Sequence, residues 1–167
     1  MKILLSHISV DRSLFEFTGK KEEFDIPELK DDVTVIASAY QTGESYALSG
    51  KIKTRLELTC DRCLKSYDFP IEQDFEVIYT SEEMVDRDDH IMYLPPQDVE
   101  INLKPYVYDT ILLNFPFKKV CSEDCKGLCA GCGVNLNEST CTCSKDKIDP
   151  RWESLKELKK SLESAEE

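Results

Sequence analysis

Between residues 46 and 80 apolar and polar side chains alternate with a period of two, and the phase reverses once. Leu48, Gly50, Ile52, Thr54, Leu56 and Leu58 hold even positions, whereas Tyr67, Phe69, Ile71, Phe75, Val77 and Tyr79 hold odd ones. Two such runs around a short polar turn predict a β-hairpin with Cys60 and Cys63 at its tip. The best-matched pairing sets Leu58 opposite Phe69, Leu56 opposite Ile71 and Ile52 opposite Phe75. The outer face then pairs Arg55 with Glu72, Lys53 with Asp74 and Lys51 with Glu76, as in a half-buried antiparallel ribbon. A slip of one residue mixes the faces; a slip of two preserves them and is excluded less strongly.

Upstream, Ile3-Leu4-Leu5, Leu14 to Phe17 and Val33 to Ala37 read as short strands, with Phe24 to Leu29 an extended or turn segment. Residues 81–100 are dominated by Glu82, Glu83, Asp86, Asp88, Asp89, Asp98 and Glu100, and read as an acidic, solvated connector. From Asn102 the period lengthens. Leu103, Tyr106, Val107, Thr110, Ile111 and Asn114 predict a helix over about 102–114, with Asn102 as N-cap and Pro116 as its stop. A second helix is expected from Asp149-Pro150, carrying Trp152, Leu155, Leu158 and Leu162 along one stripe. The chain thus reads as α+β: an antiparallel sheet or partial barrel, a Cys-rich zinc-binding subdomain and a C-terminal helix. Its expected divisions are an acidic body over 1–117, a metal-binding subdomain over 118–148, and a helix with acidic tail over 149–167.

A chain of 167 residues with 41% hydrophobic and 32% charged residues supports one sizeable core plus a small appendage. The N-terminal apolar run is broken by His7 and Asp11, and no stretch has the length of a membrane span. A cytoplasmic, reducing location is the expectation, where clustered cysteines favour metal over structural disulfides. The net charge of −12 is unevenly spread. Residues 1–117 carry 12 basic and 23 acidic side chains, whereas 118–160 carry 9 and 7. The body should repel nucleic acid, so RNA contact falls to the C-terminal segment or passes through a basic protein partner.

The eight cysteines form four close pairs: Cys60/Cys63, Cys121/Cys125, Cys129/Cys132 and Cys141/Cys143. Such spacings suit neighbouring ligands on one ion, and eight thiolates fill two tetrahedral sites. Cys129-Ala130-Gly131-Cys132-Gly133 has the form of a zinc knuckle, with glycines easing a tight turn. The favoured division is Cys129, Cys132, Cys141 and Cys143 on one Zn2+, and Cys60, Cys63, Cys121 and Cys125 on another. Interleaved pairing, or one filled site with four free thiols, remain alternatives. Catalysis is not expected: His7 and His90 stand apart from the cysteine motifs, no phosphate-binding glycine loop occurs, and all-cysteine sites are closed.

Cys60-Asp61-Arg62-Cys63-Leu64, Leu113-Asn114-Phe115-Pro116, the run from Cys121 through Lys126-Gly127-Leu128 to Cys129, Asn135-Leu136-Asn137 and Asp149-Pro150-Arg151-Trp152 together resemble the YceD family of large-subunit ribosomal RNA accumulation proteins. The resemblance covers about residues 45–160. Trp152 departs from the usual Leu or Phe of that motif. It implies a bacterial cytosolic protein, or a plastid relative, that supports large-subunit (23S) ribosomal RNA accumulation without known catalysis. Two partners are then expected: ribosomal RNA, met by Lys118, Lys119, Lys126, Lys145, Lys147 and Arg151, or a basic ribosomal protein held by the acidic body. No small-molecule substrate is expected. A zinc- or thiol-responsive regulator is the alternative.

Overall fold

A computed structural model describes residues 1–82 and 90–143, together with Arg151 and Leu155. The strands are β1 (Lys2–Leu4), β2 (Ser13–Gly19), β3 (Val33–Thr42), β4 (Ser45–Thr59), β5 (Ser66–Thr80), β6 (Ile91–Tyr93) and β7 (Glu100–Asn102), followed by helix α1 (Lys104–Leu113). The larger sheet runs in the order β2-β3-β4-β5-β6, and β1 pairs separately with β7. The fold is α+β and mostly antiparallel; among the described strands only β6 lies parallel to its neighbour, β5. The larger sheet is open, with β2 and β6 as its edges.

The hairpin dominates, as the alternation predicts, but its register differs from the expected one by two residues. Leu58 stands opposite Tyr67, Leu56 opposite Phe69, Thr54 opposite Ile71 and Gly50 opposite Phe75. The cause is the tip. The Cys60 N–H donates to the Lys65 carbonyl at 3.0 Å, and the Leu64 N–H donates to the Cys60 carbonyl at 2.9 Å. Leu64 takes a left-handed conformation (φ 58°), which closes the turn tightly and carries the ladder up to Thr59 and Ser66. A two-residue slip keeps every side chain on its own face, so periodicity alone could not exclude it. The charged face re-pairs accordingly. Lys51 meets Glu72 at 3.0 Å and Asp74 at 3.5 Å, and Lys53 meets Glu72 at 3.2 Å. Arg55, opposite Pro70, turns instead to Asp31 at 2.5 Å.

Gly50 has a packing role. A Cβ built there would lie 2.2 Å from the Ile36 carbonyl oxygen and 2.8 Å from the Ala37 Cα, so β4 crosses β3 too closely for any side chain. Around it the core gathers Val33, Val35, Ala37, Leu48, Ile52, Leu56 and Val77 from the sheet, and Ile3 with Ile101 from the β1–β7 pair. Helix α1 adds Val107 and Ile111, in line with Leu103 just before it, one stripe at intervals of a helical turn. Its start is shifted from the expected bounds. Asn102 ends β7 opposite Lys2, and its side chain accepts the Lys104 N–H at 3.1 Å, so Leu103 is the N-cap residue.

Residues 90–100, the end of the expected connector, are more ordered than its charge suggests. Its described part supplies β6 and β7, and Leu94 is buried. The apolar run Ile91 to Leu94 has enough hydrophobic surface to dock on β5 despite its acidic surroundings. Of the expected C-terminal helix from Asp149 only Arg151 and Leu155 are described, Leu155 as a helical, exposed residue; the rest of it, and Lys145 and Lys147, fall outside the described residues. Among the described residues no helix is long and apolar enough to cross a membrane.

Candidate metal centres

The eight cysteine sulfurs gather into two groups of four. Cys60, Cys63, Cys121 and Cys125 form one, and Cys129, Cys132, Cys141 and Cys143 the other, with the Sγ atoms of each group within 4.8 Å of one another. A tetrahedral ion with Zn–S bonds near 2.3 Å requires S···S edges of about 3.8 Å. Cys60 and Cys125 lie 3.9 Å apart, Cys63 and Cys121 3.7 Å, and Cys132 and Cys141 3.6 Å. The Cys129–Cys141 edge is tighter at 3.1 Å. Both groups therefore have the size of a four-thiolate metal site.

The first group joins distant parts of the chain. Cys60 and Cys63 come from the hairpin tip and Cys121 and Cys125 from beyond α1. Cys60, Cys63 and Cys125 are almost wholly buried. Backbone bonds seat the tail against the tip. The Asp61 N–H donates to the Lys119 carbonyl at 2.6 Å, the Lys119 N–H returns to Asp61 Oδ2 at 3.0 Å, and the Leu128 N–H reaches the Arg62 carbonyl at 3.0 Å. The Arg62 guanidinium donates to the carbonyls of Glu123 and Cys125 at 3.2 and 3.0 Å.

The second group is local and more open, with Cys132 and Cys143 exposed. Gly133, at φ 73°, donates its N–H to the Cys129 carbonyl at 2.8 Å and shapes the knuckle. The Gly131 N–H points at Cys129 Sγ from 3.4 Å, and the Cys143 N–H at Cys141 Sγ from 3.2 Å. The two groups are linked by a small bridge between Leu128 and Asn135. Asn137 completes the link: its Oδ1 accepts the Lys126 N–H at 2.8 Å, and its Nδ2 donates to Cys125 Sγ at 3.4 Å.

Electrostatics within each group are divided. Burial raises the Cys60 thiol, but N–H groups of Cys121, Cys63 and Arg62 outweigh it and bring its pKa down to about 6. The Cys132 N–H, the Cys141 thiol and the Gly131 N–H bring Cys129 down to about 6 as well. Cys121 and Cys143 are pushed up to about 12, chiefly by the neighbouring thiols Cys125 and Cys141 respectively. Four thiolates sharing so small a volume repel one another unless a cation neutralises them. The donor set therefore fits a divalent, thiophilic ion in both places.

Among the basic residues expected to meet a partner, Lys118 and Lys126 are exposed and Lys119 is half-buried; Arg151 is exposed. Arg62 and Asn137 were not singled out from sequence as supports of the thiols, although both sit inside the motifs.

The fold and sites define a small sheet protein with two four-cysteine groups, one of them clamping the sheet to the chain beyond its helix. Residues 48–159, a span holding all eight cysteines, match the family described as large ribosomal RNA subunit accumulation protein YceD. The chain belongs to this family. It is 25% identical over 163 residues to the chloroplastic YCED homolog 1 of Arabidopsis thaliana, covering 80% of this chain and 50% of that protein. The Zea mays homolog is 28% identical over 132 residues, covering 60% of this chain and 45% of the relative. The chain thus spans about half the length of these plant relatives. An uncharacterized Bacillus subtilis protein, YlbN, is 26% identical over 156 residues, covering 87% of this chain and 88% of its own. No solved structure matches.

Proposed function

We propose that this protein is a non-catalytic ribosome-biogenesis factor that supports the accumulation of large-subunit (23S) ribosomal RNA in the cytoplasm. The observation that carries this reading is the family match over residues 48–159, whose described relatives are named for that role. The protein acts by binding, either to ribosomal RNA or to a basic ribosomal protein. Zn2+ is the ion that suits both cysteine groups. Four thiolates at tetrahedral spacing leave no open position for a substrate, which is the form of a structural site. Within the first group the ion staples the hairpin tip to residues 121–125, and within the second it shapes residues 129–143.

Two experiments test this. Depleting the protein from cells that make it lowers 23S relative to 16S ribosomal RNA, and an unchanged ratio refutes the role. Metal analysis of anaerobically purified protein returns two zinc ions per chain; bound iron or an empty second group refutes the assignment of the ion. The exposure of Cys132 and Cys143 supports a second reading, a zinc- or thiol-responsive regulator. That reading requires thiols that react while the protein is loaded, and two tightly held ions with no reactive thiol would exclude it.

A further inference from the structure

Phe117 is fully exposed at 108%, more than any other large hydrophobic residue described, and Leu113 on the last turn of α1 is 85% exposed. Phe117 follows Pro116 and directly precedes Lys118 and Lys119. The backbone just beyond the ring is pinned, because Lys119 exchanges two hydrogen bonds with Asp61 at the hairpin tip. An aromatic ring on an anchored stretch of backbone therefore projects into water, next in sequence to two lysines.

The ion pairs of the described residues engage Lys2, Lys30, Lys51, Lys53, Arg55 and Lys65. Lys118, Lys119 and Lys126 enter none among those residues. We propose that Phe117 is a stacking platform for an unpaired RNA base, with Lys118 and Lys119 receiving the flanking phosphates. This rests on the ribosomal reading above and selects its RNA arm. The two lysines suit phosphate better than a cationic protein at this spot, although Asp61 lies beside Lys119, and an RNA strand offers both an apolar base face and phosphate charge. Paired RNA keeps its base faces stacked on each other, so the platform selects single strands.

The test uses the full chain loaded with zinc and a labelled, mixed-sequence single-stranded RNA of about 12 nucleotides, titrated by fluorescence anisotropy at several salt concentrations. Phe117→Ala should weaken binding between about fivefold and a hundredfold, the equivalent of losing one stacked base, with its melting temperature unchanged. Phe117→Trp should retain binding. The salt slope should stay the same in Phe117→Ala and fall by about 0.7 for each of Lys118→Ala and Lys119→Ala. Wild-type affinity in Phe117→Ala would overturn the platform while leaving RNA binding standing. Absence of salt-sensitive binding by the wild type would overturn both the platform and direct RNA recognition. A parallel titration with proteins extracted from large subunits covers the rival partner. If Phe117→Ala weakened only that interaction, the surface would be a protein dock and the proposal would fail.

Discussion

Replacing Cys125 by Ser should cost far more of the protein's global stability than replacing Cys141 by Ser, although each removes one ligand from a four-thiol group. In the first group Cys63 and Cys121 meet across 58 residues of sequence. Treated as a crosslink, closure of a loop that long removes about 14 cal/mol/K from the unfolded chain, or about 4 kcal/mol at 25 °C. In the second group Cys129 and Cys141 meet across 12 residues, equivalent to about 3 kcal/mol, but that loop encloses no part of the sheet. The first figure is a ceiling, because the bonds of Asp61 with Lys119 and of Arg62 with Leu128 and Cys125 persist without the ion. At 2–4 °C per kcal/mol for a chain of this size, Cys125→Ser should lower the melting temperature of the sheet by up to about 8–16 °C. Cys141→Ser should leave that transition within about 2 °C while releasing one ion. Circular dichroism melts in zinc-buffered solution, paired with metal analysis, read both effects. Equal losses in the two variants, or no loss in Cys125→Ser, would show that the first group does not clamp the sheet.

Gly50→Ala should destabilise the protein by about 1–3 kcal/mol or prevent folding, since the new methyl meets the β3 backbone; denaturant titration measures it. Gly127→Ala should cost about 1–2 kcal/mol, because Gly127 holds φ 74° and its Cβ would lie 3.0 Å from the Arg62 carbonyl oxygen. The same melts should show that loss, and Gly127→Asn, more tolerant of positive φ, should lose less. Tyr79 is buried with a hydroxyl that finds no hydrogen-bond partner among the described residues, so Tyr79→Phe should be neutral or stabilising by about 1 kcal/mol. Burial, helped by Tyr106, pushes the Tyr79 phenol up to about 12. The unfolded chain then loses this proton from about pH 10 while the folded one keeps it, so folding stability falls between about pH 10 and 12. That alkaline loss should be smaller in Tyr79→Phe, and identical pH profiles for the two proteins would refute the assignment.

The parts legible in the sequence are those governed by periodicity and local spacing. The hairpin and the α1 stripe of Leu103, Val107 and Ile111 announce themselves through alternation or helical repeats, and β2 and β3 through their β-branched and aromatic content. The family was legible in the residues around the cysteines, including Asn137, whose amide reaches Cys125 Sγ. The hairpin register was not, because Leu58 faces the core equally well opposite Phe69 or Tyr67. What decided it was Leu64, a left-handed residue that no propensity marks in advance. Strands β6 and β7 were hidden for another reason. Three-residue segments carry too little pattern of their own, and their order comes from the partner strands β5 and β1.

The wide sequence separation within the first group also bears on the order of events during synthesis. Residues 129–143 can close around an ion as soon as they leave the ribosome, whatever the rest of the chain is doing. Cys60 and Cys63 emerge long before Cys121 and Cys125, and all four sulfurs converge only after the hairpin has paired and α1 has turned the chain back to its tip. Loop-closure entropy makes that late convergence slow relative to the local one. Filling of the second group would then report that zinc is present, whereas filling of the first would report that the chain has finished folding. An ion scavenged early by Cys60 and Cys63 alone would hold only two of its four ligands until the tail arrives, which leaves it exchangeable through the interval when the sheet is still forming.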